Sequence, residues 1–299
     1  MLSRRVLIVA DIEGSSGCWN YAASSFLTHE WALACEAMTL DVQAVVKGLF
    51  DAGADEVIIK DFHRTGYNLM PELLDPRARV DNGYAHGPIP GMGDPGRSEI
   101  AMFLGLHAAS GTRGFLPHTM TSRLAEVRVN GRLLPEVALF ASLLAPYNIR
   151  PVFFSGCPIA CQQARNEVPQ ITTFEIDKTG GPDGFDATTW RHRLAQSAVG
   201  ALTNCNTRPL EGRGPLEVKV VFRDGAPTAK KMAHRWRLQC QGDAVHFIAD
   251  DLPALFDTLS RICYLVPVLL PLLPLALPLY NLKGRAGLAW VRHRLKKGA

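Results

Sequence analysis

Short apolar runs and longer amphipathic stretches alternate through residues 1–206 of the chain. A run that is apolar throughout predicts a buried parallel strand, because such a strand is covered on both faces. Apolar side chains that recur every three or four residues predict a helix. The predicted strands are 6–10, 56–60, 100–104, 151–154 and 171–174, and the predicted helices are 28–52, 159–167, 190–202 and one that starts at Pro135.

This alternation predicts an α/β fold with a mostly parallel central sheet flanked by helices. A hairpin is predicted over 125–134, with Asn130-Gly131 as its turn. Linker-type composition begins near residue 207, and the segment 216–222 then alternates with period two like a half-buried strand. We therefore divide the chain into a main α/β domain (1–206), a smaller C-terminal α+β unit (207–262) and a Pro-rich apolar and basic tail (263–299).

The tail begins with an apolar run, residues 262–279, which contains four prolines. Its length approaches that of a membrane-spanning helix, but each proline removes a helical hydrogen bond. The pattern favours an extended, polyproline-like arm on a neighbouring subunit, or peripheral membrane contact, over a true span. Six Lys or Arg residues and no acidic residue follow position 262.

The charge and the cysteine content of the chain argue against two classes of protein, nucleic-acid-binding proteins and disulfide-bonded proteins. The chain has 32 basic and 28 acidic side chains, so residues 1–262 without the basic tail carry a net charge of −2. A slightly acidic body argues against nucleic-acid binding. Seven scattered cysteines, an odd number, favour reduced thiols in a cytoplasmic protein over a disulfide framework.

Metal-competent side chains follow several predicted strands. Because parallel strands end at one edge of a sheet, where ligands of α/β proteins bind, these side chains are expected to converge. A long Gly- and Pro-rich loop, 66–96, is expected over that edge. A mixed oxygen and nitrogen set suits two divalent ions that share a carboxylate, with zinc favoured and Mn²⁺ or Co²⁺ possible. The candidates are Asp11, Glu13, His63, His107 and Glu136.

From about Leu7 to about Tyr264, the chain resembles the zinc-dependent D-aminopeptidases of the DppA type. The resemblance rests on five motifs in the right order: Asp11-Ile-Glu-Gly14, Asp61-Phe-His63 with Asn68-Leu-Met70, Gly105-Leu-His107, His118-Thr-Met120, and Glu136 after Asn130-Gly-Arg132. The resemblance implies that Asp11 bridges two zinc ions, that Glu13 and His63 complete one site, and that His107 and Glu136 complete the other. It also implies a catalytic His118 that binds no metal, and a ring-shaped homo-oligomer described as a decamer.

Two positions depart from the family pattern. Pro135-Glu136-Val137-Ala138 replaces a Gly-Glu-Leu-Gly pattern, and Gly156-Cys157-Pro158 stands where acidic residues often end a strand. Both departures indicate that the pocket and the substrate preference have shifted.

The sequence thus predicts a metal-dependent aminopeptidase that hydrolyses the N-terminal amide of short peptides, with a D-amino acid at the amino end. His118 would transfer protons during attack by a metal-activated water. One alternative is a dinuclear amidohydrolase that acts on another small amide, and the sequence does not separate these two. The other is a membrane-associated binding protein with structural metals, which has no use for a spare acid–base group such as His118.

Overall fold

A parallel sheet of six strands, in the order β3-β2-β1-β4-β7-β8, forms the centre of the protein. The structure, a computed structural model, describes residues 4–203 and 206–298. The strands of this sheet are β1 (Arg5–Ala10), β2 (Glu56–Asp61), β3 (Arg79–Asp81), β4 (Ile100–Leu106), β7 (Arg150–Gly156) and β8 (Thr172–Glu175). The predicted α/β fold with a mostly parallel sheet is confirmed.

A second, antiparallel sheet has the order β10-β11-β9-β5-β6. Its strands are β5 (Leu124–Val129), β6 (Arg132–Leu133), β9 (Arg213–Phe222), β10 (Gln239–Gln241) and β11 (Ala244–Asp251). The predicted hairpin is therefore β5–β6, and it pairs with β9 of the C-terminal unit. The division of the chain at residues 206 and 207 stays a prediction.

Seven α-helices are described in these ranges: α1 (His29–Asp51), α2 (Glu136–Leu144), α3 (Pro158–Glu167), α4 (Ala187–Thr203), α5 (Ala226–Trp236), α6 (Leu252–Tyr264) and α7 (Leu273–Gly298). Helices α1, α4 and α7 cover one face of the parallel sheet. Helices α2 and α3, together with the second sheet, cover the other face.

Strand β1 shows why its sequence is apolar throughout. Leu7 and Val9 point into the core on the side of α2, whereas Val6 and Ile8 point into the core on the side of α1. Successive side chains of a strand point to opposite faces, so a strand with two buried faces needs apolar residues at every position. This central position places the end of β1 between the ends of β2 and β4.

The extended conformation predicted for the tail is wrong. A 3₁₀ helix, Pro267–Leu272, leads into α7, which continues through Pro278. Proline is tolerated in the first turn of a helix, where its missing N–H has no helical partner. Pro267 and Pro274 occupy such positions, and α7 then buries Leu288 and Val291 against α1.

The described parts of the chain, 4–203 and 206–298, contain no single helix that is long and apolar enough to cross a bilayer. By length and composition alone, the bent pair formed by Leu252–Tyr264 and Pro267–Lys297, with an angle of 103°, passes the same test. The six cysteines with a described structure are free thiols, and Cys205 lies outside the described residues.

Candidate metal centre

Asp11 and Glu13 lie just after the carboxyl end of β1, and both carboxylates are buried. Burial, with a smaller contribution from Glu13, raises the pKa of Asp11 to about 7. Burial also disfavours ionisation of Glu13, but His63 outweighs it and holds the pKa of Glu13 well below its usual range. Glu13 Oε2 lies 3.2 Å from His63 Nδ1 but accepts no hydrogen bond of normal geometry among the described residues. A buried acceptor without a donor is costly unless a cation neutralises it.

His63 follows β2 and joins these two acids. Its Nδ1 lies 3.0 Å from Asp11 Oδ1 and 3.2 Å from Glu13 Oε2. Its Nε2 lies 3.0 Å from the Ser24 carbonyl, which only accepts, so the proton of the neutral ring is on Nε2 and Nδ1 is free to bind a metal. Burial favours the neutral ring, but the charges of Glu13 and Asp11 raise the pKa of His63 to about 10.

His107 and Glu136 form the second part of the site. His107 follows β4, and its Nε2 lies 3.5 Å from Glu136 Oε2. Its Nδ1 donates to the Ala108 carbonyl at 3.1 Å, which leaves Nε2 for a ligand. Although burial opposes protonation, Glu136 raises the pKa of His107 to about 10.

Glu136 is the first residue of α2, where a negative charge is stabilised by the helix dipole. Its Oε1 accepts a hydrogen bond of 2.6 Å from the backbone N–H of Met120. Burial raises the pKa of a carboxyl group, but His107 overcomes this effect and lowers the pKa of Glu136. One oxygen is therefore fixed by the backbone, and the other faces the imidazole.

Asp11 connects the two parts through its two oxygens. Oδ1 lies 3.0 Å from His63 Nδ1, and Oδ2 lies 3.5 Å from His107 Nε2. A carboxylate with one oxygen toward each part has the arrangement required of a bridging ligand in a two-metal site. The five predicted ligands are thus brought together, and their donor set fits two divalent ions.

His118 also belongs to this centre. Its ring stacks on that of His107, with centroids 3.6 Å apart and planes 14° apart. Nδ1 donates to the Leu116 carbonyl at 2.9 Å, so Nε2 is unprotonated in the neutral ring. Burial, followed by the charge of His107, lowers the pKa of His118.

Candidate ligand atoms fall into two triads, each with all distances below 4.8 Å: Asp11, Glu13 and His63, and His107, His118 and Glu136. His118 therefore lies close enough to His107 and Glu136 to share a ligand with them, and the predicted role without metal contact stays a prediction. Leu116 and Met120 on either side of it have φ angles of 42° and 65°. Such left-handed residues other than glycine often occur at functional sites.

Two glycines allow the ends of β1 and β4 to approach each other. A Cβ on Gly105, whose φ is +74°, would lie 2.3 Å from the Asp11 carbonyl oxygen. A Cβ on Gly14 would lie 2.6 Å from the Leu106 carbonyl oxygen. Asp11 and His107 therefore reach the same centre only because these two positions lack side chains.

Residues behind the ligands complete the site, although the sequence motifs alone assign them no role. Asp61 accepts hydrogen bonds from the backbone N–H groups of His63 and Leu69 and from Asn68 Nδ2. Asn68 Nδ2 also lies 2.7 Å from the His63 carbonyl. These bonds fix the loop that presents His63, as outer contacts of a metal ligand commonly do.

Lys178 was missed although it follows β8 at the same edge of the sheet. Its buried Nζ donates to the carbonyls of Ser15 and Cys18, in the turn just after Glu13. Burial lowers the pKa of Lys178 to about 8. Strand β8 is only partly buried and several polar residues lie at its end, so the rule that found the acids, a polar residue after a buried strand, does not single out this lysine.

Three comparisons with known proteins relate the chain to D-aminopeptidases. The model of the D-aminopeptidase family matches residues 4–260. The curated D-aminopeptidase of Bacillus subtilis (strain 168) is 29% identical over 144 residues, which are 48% of this chain and 52% of that protein. The match thus spans about half the length of that relative.

A solved structure, the Zn-dependent D-aminopeptidase DppA from Bacillus subtilis, described as a self-compartmentalizing protease, has the same fold. It aligns with a TM-score of 0.78 at 22% identity, and covers 87% of this chain and 97% of its own. The resemblance in the sequence motifs is thereby confirmed. Because the family model covers most of the chain and the site lies within the match, this protein belongs to the D-aminopeptidase family.

Proposed function

We propose that this protein is a metal-dependent aminopeptidase that hydrolyses the N-terminal amide of short peptides, with a D-amino acid at the amino end. The observation that supports it most is Asp11, whose two oxygens face His63 and His107 in two buried ligand triads. Family membership and the fold of DppA support the same reaction class.

We further propose two zinc ions per chain, with Mn²⁺ or Co²⁺ as substitutes. The mixed carboxylate and imidazole ligands favour zinc, and DppA of Bacillus subtilis is a Zn-dependent enzyme. When bound, such ions lower the pKa of a water molecule and polarise an amide carbonyl. Asp11, Glu13 and His63 would hold one ion, and Asp11, His107 and Glu136 the other.

His118 has the properties of the acid–base group. Burial and the neighbouring His107 keep its pKa low, so its Nε2 is an unprotonated acceptor at neutral pH. It can take a proton from the attacking water and return it to the leaving amine. The Leu116 carbonyl holds the ring in the tautomer that this step requires.

Elemental analysis of the purified protein and hydrolysis assays test this proposal together. About two zinc ions per chain and chelator-sensitive, D-selective cleavage of D-Ala p-nitroanilide and D-Ala peptides are expected. Two zinc ions without cleavage of D- or L-Ala substrates would favour an amidohydrolase with another small substrate. Absence of both metal and activity after addition of zinc, manganese or cobalt would refute the catalytic function.

The variant His118→Ala separates catalysis from metal binding. We expect retention of both metals and a loss of turnover of about 10²- to 10⁴-fold, typical of a general acid–base group. The exposed His192 provides the control variant His192→Ala, which should match the parent. A loss of metal as large as the loss of activity would instead identify His118 as a ligand.

The assembly and location are proposals with tests of their own. We propose a ring-shaped homo-oligomer, with a decamer as the expected size. The description of DppA as self-compartmentalizing supports this assembly, and light scattering coupled to chromatography tests it.

We propose a cytoplasmic location for the protein. The free cysteines of the described ranges support this location, and cell fractionation tests it.

Peripheral membrane contact through residues 262–297 also stays a proposal. Leu275, Leu279 and Leu282 are exposed on α7, and Lys283 and Arg285 follow. Apolar side chains beside basic ones are typical of helices that lie on anionic membranes. Flotation with phosphatidylserine vesicles tests this contact, with phosphatidylcholine vesicles as the control.

A further inference from the structure

The tail reaches the metal centre although it lies beyond residue 260, where the family match ends. Its first contact is made by Tyr264, the last residue of α6. The Tyr264 hydroxyl donates to the carbonyl of Met120, whose N–H binds Glu136. The tail is thus attached beside the triad of His107, His118 and Glu136.

A second contact attaches the tail on the other side of the centre. The Tyr280 hydroxyl donates to the carbonyl of Arg64 at 3.2 Å, and Arg64 directly follows His63. The next residue, Asn281, accepts from the N–H of Tyr84 and donates to its carbonyl, both at 2.9 Å. The same segment therefore also fixes the loop 66–96, which the sequence pattern places over the active edge.

Tyr84 lies beside Phe62, the residue before His63. Its hydroxyl donates to the Phe62 carbonyl at 3.2 Å, and its ring lies 6.0 Å from that of Tyr280. Burial raises the pKa of Tyr84 well above its usual value, and the neighbouring Tyr280 and Asp61 add to this effect before the smaller contributions of Asp11 and Glu136. Tyr84 and Tyr280 thus bind the two residues that flank His63, whereas Tyr264 binds the residue whose N–H holds Glu136.

We propose that residues 264–281, here named the strap, pass over the open side of the metal centre and restrict it to short peptides. Its two ends are attached on opposite sides, at Met120 and at Arg64. The strap also contains four prolines, which fix φ and reduce the freedom of the segment. The strap therefore keeps one position over the site and does not open and close like a mobile lid. This inference rests on the proposed peptidase function and adds a limit on substrate length.

The strap lies outside the family match, which ends at residue 260, whereas both ligand triads lie within it. Gly83 and Gly284 allow the tail to pack closely, since a Cβ on Gly83 would lie 2.6 Å from Asn281 Oδ1 and one on Gly284 would lie 2.3 Å from the Tyr67 ring. Such close packing indicates that the end of the strap, at Asn281, and the part of α7 that follows it belong to the folded domain.

The test removes the two hydroxyl attachments in the full-length protein as purified, with the double variant Tyr264→Phe/Tyr280→Phe. Each substitution keeps the ring and deletes one hydrogen bond, so the fold is expected to persist. Tyr147→Phe is the matched control, because Tyr147 lies next to Arg150 at the amino end of β7, the opposite edge of the sheet. Two readouts are compared in all three proteins: hydrogen exchange of the Tyr84 amide, and hydrolysis of D-Ala peptides of increasing length.

Loss of a hydrogen bond should increase local opening by about threefold to tenfold. We therefore expect the Tyr84 amide to exchange faster by about that factor in the double variant. We also expect hydrolysis of the longest peptide, relative to the dipeptide, to increase by a similar factor. The control should match the parent in both readouts.

Unchanged exchange would show that the strap is not attached through these hydroxyls, and unchanged length dependence would show that it does not limit substrate size. Either result overturns the inference. If none of the three proteins cleaves any peptide, the proposed function is refuted. The exchange rate of the Tyr84 amide then tests the attachment of the strap by itself.

Discussion

The substitution Gly105→Ala tests the close approach of β1 and β4 that forms the centre. Position 105 has a φ of +74°, and the added Cβ would lie 2.3 Å from the Asp11 carbonyl oxygen. The left-handed conformation costs an L-residue about 1 kcal/mol. Overpacking against a backbone atom adds about 1–3 kcal/mol, because the strand ends must separate. The expected loss of unfolding free energy is thus about 2–4 kcal/mol.

Gly53→Ala is the matched control for this substitution. Gly53 follows α1 with a φ of +90°, and no atom lies within 4 Å of its added Cβ. It should therefore lose only the conformational contribution, about 1 kcal/mol. The difference between the two variants isolates the contact with Asp11.

Two measurements decide the outcome. Thermal unfolding in the presence of a chelator should lower the Tm of Gly105→Ala by about 4–8 °C and that of Gly53→Ala by about 2 °C. Zinc titration should show affinity reduced by about 10- to 100-fold in Gly105→Ala only, because Asp11 is displaced. Equal stability and equal zinc affinity in the two variants would refute the reasoning.

Three further predictions concern groups around the centre. Asn68→Ala should lower the unfolding free energy by about 2–4 kcal/mol and weaken zinc binding, because Asn68 is fully buried and its side chain fixes His63. Urea unfolding measures the first effect and zinc titration the second. An unchanged zinc affinity would contradict this role. Lys178 has a pKa of about 8 in the folded protein and a normal value of 10.5 when unfolded, so the unfolded state binds more protons between these values, and the contribution of Lys178 to stability should rise from about pH 8 to about 10.5. Lys60, with a pKa of about 8, contributes a similar rise, whereas His63 and His107, with pKa values of about 10, lower the stability of the metal-free protein over much of this range. Urea titrations of the chelated protein should therefore show that stability increases less, or decreases more, with pH in Lys178→Met than in the parent, and equal pH dependence in the two proteins would refute the assignment. The ion pair of Glu72 and Arg292, with N–O distances of 2.6 and 2.7 Å, is partly exposed. A double-mutant cycle should therefore give a coupling free energy of about 1 kcal/mol or less, and this coupling should decrease as the salt concentration rises. A larger coupling that does not depend on salt would contradict this prediction.

The sequence was most informative where one physical factor decides the structure. β1, β2 and β4 are buried on both faces, so continuous apolar runs marked them, and the polar residues after them marked the metal centre. Helix α1 was predicted within one residue at each end, because Thr28 caps its start and Gly53 follows its end.

The sequence was least informative where contacts between distant segments decide the structure. The prolines of the tail predict an extended segment, whereas packing of Leu288 and Val291 on the core stabilises the helix α7. Helix α5 was missed although its buried residues Ala229, Met232 and Ala233 recur at helical spacing and proline stands in its first turn. The pairing of β5 with β9 joins residues about 90 positions apart, and no local pattern encodes it.

The raised pKa values of His63 and His107, about 10, have a consequence for how the centre is filled. At neutral pH both rings carry an extra proton in the metal-free protein, and these positive charges neutralise the surrounding carboxylates. A metal ligand must give up that proton, so loading one chain releases about two protons to the solution. Metal binding at the centre therefore displaces protons from His63 and His107. Its apparent zinc affinity will rise with pH, and the heat of zinc binding will depend on the ionisation enthalpy of the buffer.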